Sequence, residues 1–223
     1  MKAKDLKILR KKLAKANKLD TNPLEGIATA LLHLNIPKRS DDAAAAEKPQ
    51  TKLSIQYNPS VDLSDTRFKQ CLDLFENNMG EQYRKSSWGL DMKAKEDELR
   101  HEKARYLLLI PDDESDELAG FVHFRYTYDD DEGPSYGVIY VFEIQIDESY
   151  QRRGLGKKVM DLVEALTLQA ELDRVMLTVF RANESAMKFY QSAMKFYLDE
   201  SSPSKWNHPA DYEILSKAVT KKK

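Results

Sequence analysis

The apolar positions of this chain change their period along its length. In the opening "KAKDLKILRKKLAKANKLD", Leu6, Leu9, Leu13 and Ala16 recur at helical spacing with lysines on the other faces, which predicts an amphipathic helix whose stripe docks on a body. From Ile36 to Gln50, "IPKRSDDAAAAEKPQ" is bounded by prolines and has no sustained apolar period, so it reads as a linker or surface excursion. The folded domain is expected to begin near Lys52. This divides the chain into a basic helical extension with its linker, 1–51, and a larger domain, 52–223.

Within the larger domain "LSIQY" predicts a strand. "SDTRFKQCLDLFENNMGEQY" predicts a helix capped by Ser64 or Asp65, with Phe68, Leu72 and Phe75 inward. In "SSWGLDMKAKEDELRHEKARYLLLI" a charged helix gives way to a strand at Tyr106–Ile110. "LAGFVHFRYTY" and "YGVIYVFEIQI" are the next two strands, separated by the charged turn "DDDEGPS". Leu155, Val159, Leu162, Val163 and Leu166 mark a helix; "DRVMLTVF" is a strand, "NESAMKFYQSAM" a helix and "DYEILSKAV" a final strand. A meander followed by alternating strands and helices is an α/β fold on a mixed sheet.

Composition narrows the class. The 223 residues are 41% hydrophobic and 32% charged, the balance of a soluble globular protein with one large domain. A single cysteine, Cys71, excludes an internal disulfide framework and a multi-cysteine metal site, and points to a reducing compartment. No apolar run reaches the length of a membrane span, and the basic amino terminus lacks the apolar core of a signal peptide. The net charge of −2 argues against a protein wrapped in nucleic acid. The charge is uneven, however: up to Lys18 eight Lys or Arg face one acid, Asp5, while acids gather at Asp112–Glu117 and Asp129–Glu132. The basic helix is thus read as a packed extension, with a ribosome-facing or nuclear-import role compatible; without aromatic anchors it is a poor membrane-surface helix.

The candidate chemistry starts at "QRRGLGKK", residues 151–158, between the strand ending near Ile146 and the amphipathic helix after it. Closely spaced glycines at a strand-to-helix turn let backbone approach a ligand, and free helix-start amides with local Arg and Lys favour an anion, so this is a phosphate-binding turn. Neither a P-loop nor a dinucleotide fingerprint is present. "QRRGLG" resembles the (Gln/Arg)xxGx(Gly/Ala) signature of the GNAT acetyltransferases, and the downstream "TVFRANESAMKFY" suits the strand and helix that complete their cofactor slot. "NNMGEQYRKSSWG", "YVFEIQID", "DESSPS" and "YEILS", in this order, are similar to the NatD type of N-terminal acetyltransferase, which acetylates the α-amino group of histone 4 and histone 2A.

The resemblance implies the GNAT fold, a mixed, mostly antiparallel sheet flanked by helices with an N-terminal helical extension, and acetyl-coenzyme A as cosubstrate without a metal. Glu143 is the leading base: a carboxylate inside the apolar "YVFEIQI" is costly unless it faces a cleft or finds a partner, and it matches the family's catalytic Glu. An α-amine titrates at about 8, so a modest base suffices, whereas a lysine ε-amine at about 10.4 asks for more. By resemblance the backbone of Ile144, Gln145 and Ile146 binds the acetyl carbonyl and pantetheine arm. Arg152, Arg153, Gly154, Leu155, Gly156 and Lys157 hold the pyrophosphate, Thr178 and Asn183 complete the cofactor slot, and Tyr190 sits where many relatives keep a tyrosine to protonate the leaving thiolate. Tyr83, Trp88 and Tyr212 match the aromatic slot for the first peptide residues, and Asp129 would meet a substrate Arg. Two positions depart from the family: Phe142 stands where a Tyr precedes the catalytic Glu, and Thr127 replaces an acid, which bears on substrate stringency. The implied partners are the amino-terminal peptides of histone 4 and histone 2A, with the ribosome as a further contact of the basic helix, in a monomer of the cytoplasm and nucleus. The alternatives are a GNAT for lysine side chains or small amines, and a non-catalytic acetyl-coenzyme A-binding module.

Overall fold

The computed structural model describes residues 3–36, 51–113, 116–130 and 132–219. The expected linker, past its first residue, lies outside them. Helix α1 (Ala3–Ala16) leads through a short α2 (Thr29–Leu32) into β1 (His33–Ile36) and β2 (Thr51–Pro59). Helices α3 (Asp65–Lys85) and α4 (Met92–Leu99) follow, then β3 (Arg105–Pro111), β4 (Gly120–Tyr128) and β5 (Gly137–Ile146). Helix α5 (Leu155–Gln169), β6 (Arg174–Phe180), α6 (Glu184–Lys188), β7 (Tyr197–Leu198) and β8 (Tyr212–Ala218) complete the chain. The strands form one sheet in the order β1-β2-β3-β4-β5-β6-β8-β7, antiparallel everywhere except between β5 and β6. This is the α/β sandwich expected from the alternation of elements, with three pieces the periodicity did not announce: α2, β1 and the two-residue β7.

Both faces of the sheet are covered. The run "YLLLI" is buried at every residue because β3 alternates between two cores: Leu107 and Leu109 join one, Tyr106, Leu108 and Ile110 the other. The first core receives Leu9 and Leu13 of α1, Leu34 and Ile36 of β1, and the apolar stripe of α5. The second is roofed by α3 and α4 through Phe68, Cys71, Phe75 and Leu99; Leu72 of α3 is only partly buried there. Ser64 caps α3 by accepting from the Arg67 amide, and Asp91 caps α4 by accepting from Ala94. The thiol of Cys71 is wholly buried, and burial pushes its pKa up.

The basic helix α1 is therefore bound into the body: Lys12 donates to the Glu171 carbonyl at 2.9 Å, and buried Arg105 reaches the Asn17 carbonyl beyond the helix end at 3.0 Å. Leu13→Ala is expected to cost about 2–5 kcal/mol of unfolding free energy in a urea titration, the range for emptying a buried leucine site. A loss under about 1 kcal/mol would mean that α1 is an appendage.

One irregularity positions the site. In the β4–β5 ladder Phe124 pairs with Val141 and His123 with Glu143, so Phe142 is an extra residue, a β-bulge. Ile139 and Val141 before it, and Ile144 and Ile146 after it, all pack toward the first core, three positions apart across the bulge. In an unbulged strand Glu143 would follow Val141 into that core. The inserted residue sends it, with Gln145, to the opposite face beneath α3 and α4. Parallel pairing between β5 and β6 also ends at Val141↔Leu177, although β6 runs on against β8 as far as Phe180↔Tyr212. Past the bulge the two strands diverge.

Candidate active site

The divergence opens a cleft of about 1110 Å3, lined by β5 from Tyr140 to Ile146, the β6 end from Thr178 to Phe180, the start of α5, and residues of α3, α4 and β4. Every residue singled out in the sequence lines it except Arg153 and Tyr212. The cleft has two arms meeting at the bulge.

One arm is suited to an acyl carrier with phosphates. Residues 142–146 of β5 have no ladder partner on the β6 side, leaving an open backbone edge. At its end the Asn78 amide donates to the Ile146 carbonyl at 3.1 Å and the Gln151 amide to the same oxygen at 2.9 Å, so that carbonyl is already satisfied. The chain then turns through Arg152, at φ 61°, and Gly154, at φ 80°, into α5, whose start has no side-chain cap. The left-handed geometry at Gly154 is easy only for glycine, and it leaves the first-turn amides of α5 pointing along the helix axis into the cleft. These amides, with Arg152 in the same lining, are the groups that could cradle an anion. Lys157 lines the cleft too, but its ammonium pairs with Asp161 at 2.6 Å. Arg153 lies outside, its guanidinium over the Tyr150 ring and its Nε buried without a partner. Asn183 caps α6 by accepting from the Ala186 amide, and Thr178 hydrogen-bonds the Tyr140 hydroxyl across the mouth of the divergence.

The other arm is aromatic and acidic. Tyr83 packs edge-on against Phe75 and Phe180, each at 5.1 Å between centroids; Trp88 lies 5.1 Å from Phe180 and 5.0 Å from Tyr212, which backs the wall from outside the cleft. Trp88 itself is 49% exposed. The loop carrying it is tied to the start of β8, because Asp211 accepts from the Ser87 amide at 2.6 Å and from its hydroxyl at 3.1 Å. The "SSPS" segment is held similarly: Ser202 and Ser204 both donate to the Glu213 carboxylate, which also accepts from Arg181. Asp129 at the rim spends Oδ1 on the Ser135 and Tyr136 amides, organising the acidic turn. Thr127 lies beside it in the lining, and Phe142 stacks on buried His123 at 5.0 Å.

Glu143 stands where the arms meet, 5% exposed. Its Oε1 accepts from Lys95 Nζ at 2.9 Å and its Oε2 from the Gln145 amide at 2.7 Å. Burial raises its pKa above the ordinary carboxylate range, and the Lys95 charge and the two hydrogen bonds oppose that rise. Tyr190, in the π turn Phe189–Ala193, is buried with its phenol pKa raised by burial and by the Glu143 charge, so it is a protonated hydroxyl at neutral pH. Sequence reasoning missed Lys95, Glu98, Tyr140 and Phe180. The signal for Lys95 was present: it sits one turn before Leu99, the inward leucine of α4.

The sequence profile of the acetyltransferase (GNAT) family matches residues 68–196. N-alpha-acetyltransferase 40 of Saccharomyces cerevisiae is 24% identical over 205 residues, 83% of this chain and 71% of the yeast protein. A GNAT acetyltransferase structure from Desulfovibrio desulfuricans superposes with a TM-score of 0.55 at 13% identity, covering 75% of this chain and 99% of that one. Arabidopsis thaliana NAA60 in complex with a bisubstrate analogue gives 0.51 at 16% identity, over 75% of this chain and all of that one. With the profile spanning more than half the chain and the fold shared, this protein belongs to the acetyltransferase (GNAT) family, and acetyl-coenzyme A is its acetyl donor.

Proposed function

We propose that the protein is an N-α-acetyltransferase of the NatD type, acting on the amino-terminal serine of histone 4 and histone 2A. The observation that carries this reading is the aromatic slot of Tyr83, Trp88 and Phe180 ending at the Glu143 carboxylate, in the arm away from the anion cradle. The likeness to the yeast relative over most of both chains supports it.

Acetyl-coenzyme A supplies a thioester-activated acetyl group. The open edge of β5 at residues 144–146 receives its carbonyl and pantetheine arm, and the α5 amides with Arg152 take the pyrophosphate. Glu143 takes the proton released by the attacking amine, and the Tyr190 hydroxyl supplies one to the departing sulfur. An α-amine near pKa 8 suits a single carboxylate base better than a lysine ε-amine near 10.4. The carboxylate of Asp129, whose Oδ1 organises the turn, meets the guanidinium at the third residue of a Ser-Gly-Arg-Gly start. The outward face of α1, with Lys4, Lys7, Arg10, Lys11 and Lys15 exposed, fits contact with ribosome or chromatin, for a monomer working in cytoplasm and nucleus.

The test is mass spectrometry of a histone 4 amino-terminal peptide after incubation with enzyme and acetyl-coenzyme A, beside the same peptide with its α-amine blocked. One acetyl on the free amine and none on the blocked peptide is expected. Acetylation confined to lysine side chains would overturn the assignment. Trp88→Ala should raise the peptide KM about tenfold and leave the acetyl-coenzyme A KM unchanged, because the ring is a half-exposed wall and not core. Equal effects on both KM values would place Trp88 outside the peptide arm.

A further inference from the structure

Lys95 is an unusual lysine. On a helix that reads MKAKEDEL, its side chain is 8% exposed, and its ammonium lies 4.7 Å from the Phe75 ring centroid and 5.0 Å from that of Tyr83. An ammonium has three hydrogens, and here three acceptors surround it: Glu98 Oε1 at 2.6 Å, Glu143 Oε1 at 2.9 Å and the Tyr83 hydroxyl at 3.2 Å. Lysine only donates, so the Tyr83 oxygen accepts, and its own proton is turned away from Lys95. Tyr83 remains a neutral donor, its pKa pushed up to about 12, first by burial and then by the Glu143 charge. One cation therefore fixes, two hydrogen bonds apart, a carboxylate that accepts and a phenol that donates, both lining the cleft.

This pairing matches a particular acceptor. In an N-terminal residue the amine nitrogen and the carbonyl oxygen of the same residue lie about 3 Å apart. A carboxylate and an O–H held by one ammonium can address both at once. A lysine ε-amine has four methylenes between it and its Cα, so no carbonyl accompanies it into the site.

We propose that Lys95 is a positioning residue that sets Glu143 and Tyr83 as an acceptor–donor pair for an α-amine and its adjoining carbonyl, and so selects N-terminal over side-chain amines. The proposal rests on the reading of Glu143 as base and Tyr83 as part of the peptide slot. The other titratable groups around the carboxylate are Glu98 from α4, Tyr106 from β3, His123 from β4 and Tyr190 from the π turn. The tyrosines are neutral at working pH, and His123, its pKa held well below the usual value by burial, is neutral too. Among the described residues Lys95 is thus the cation that hydrogen-bonds Glu143.

The experiment compares wild type, Lys95→Gln, Lys95→Arg, Tyr83→Phe and Glu143→Gln. The substrates are a Ser-Gly-Arg-Gly peptide and its analogue with the first carbonyl reduced to methylene, followed as kcat and KM against pH. Wild type should favour the intact peptide by about tenfold or more in kcat/KM. Lys95→Gln should lose most of that preference and move the acid limb up by about one pH unit or more, since an opposite charge at this distance shifts a carboxylate by that much and its removal lets Glu143 protonate earlier. Lys95→Arg should keep the acid limb, and Tyr83→Phe should lose the preference while leaving the limb in place. If Lys95→Gln does not fold, Lys95→Met takes its place. A wild-type acid limb and preference in the neutral Lys95 variant, with Glu143→Gln inactive, overturns the role of Lys95 alone. Wild-type activity in Glu143→Gln overturns the base assignment, and this proposal with it.

Discussion

Glu143→Gln is expected to lower kcat by roughly 100- to 10,000-fold, the usual contribution of a positioned base, while acetyl-coenzyme A binds with unchanged affinity. On the proposed reading the two effects should separate, because the carboxylate stands where the acceptor arm ends and the donor would take the open β5 edge and the α5 start. Gln nearly preserves the shape and its one amide oxygen can still accept from Lys95, so the fold should persist. Steady-state kinetics with calorimetric titration of acetyl-coenzyme A measures both quantities. A variant within about twofold of wild-type kcat would remove Glu143 from the chemistry. The same side chain sets the pH response. Its folded pKa lies above the ordinary carboxylate range, and the base must be ionised, so kcat/KM should fall as pH drops through that raised value.

Gly154→Val should raise the KM for acetyl-coenzyme A at least about tenfold and lower Tm. At φ 80° a β-branched residue is strained by about 1–3 kcal/mol, and relaxing that strain rotates the α5 amides out of the cradle. A Cβ added there meets no atom within 4 Å among the described residues beyond its chain neighbours, so the first cause of the effect is the backbone geometry and not a Cβ clash. Fluorescence-monitored melting with and without acetyl-coenzyme A tests this: a normal ligand-induced rise in Tm would show that the turn tolerates the change.

The strands and the long helices were legible because burial against both faces imposes period on the sequence. The capped start of α3 and the glycine turn before α5 were legible because their chemistry is local. Glu143 stood out as a charge in an apolar strand. The bulge at Phe142 did not: Ile139, Tyr140, Val141 and Phe142 are apolar or aromatic at every position, so no alternation precedes Glu143 and Gln145 against which a change of phase could be seen. Lys95 was passed over, although it lies one turn before Leu99, because α4 reads as a solvated charged helix and the carboxylate that holds this lysine is 48 positions away. β1 and β7 were too short for a period, and pairing with β2 and β8 makes them strands. Tyr212, expected in the slot, stands behind Trp88, and Arg153, expected at the phosphates, turns toward Tyr150; sequence order gives a residue's neighbourhood but not the direction of its side chain.

The lone thiol has a use beyond packing. Cys71 is sealed beneath α3, the helix that also carries Tyr83, and no second thiol competes for a reagent. Its rate of alkylation under native conditions therefore counts openings of the helix that walls the acceptor arm. A molecule seated against Tyr83 would slow that clock, which reports occupancy of the acceptor arm without any turnover.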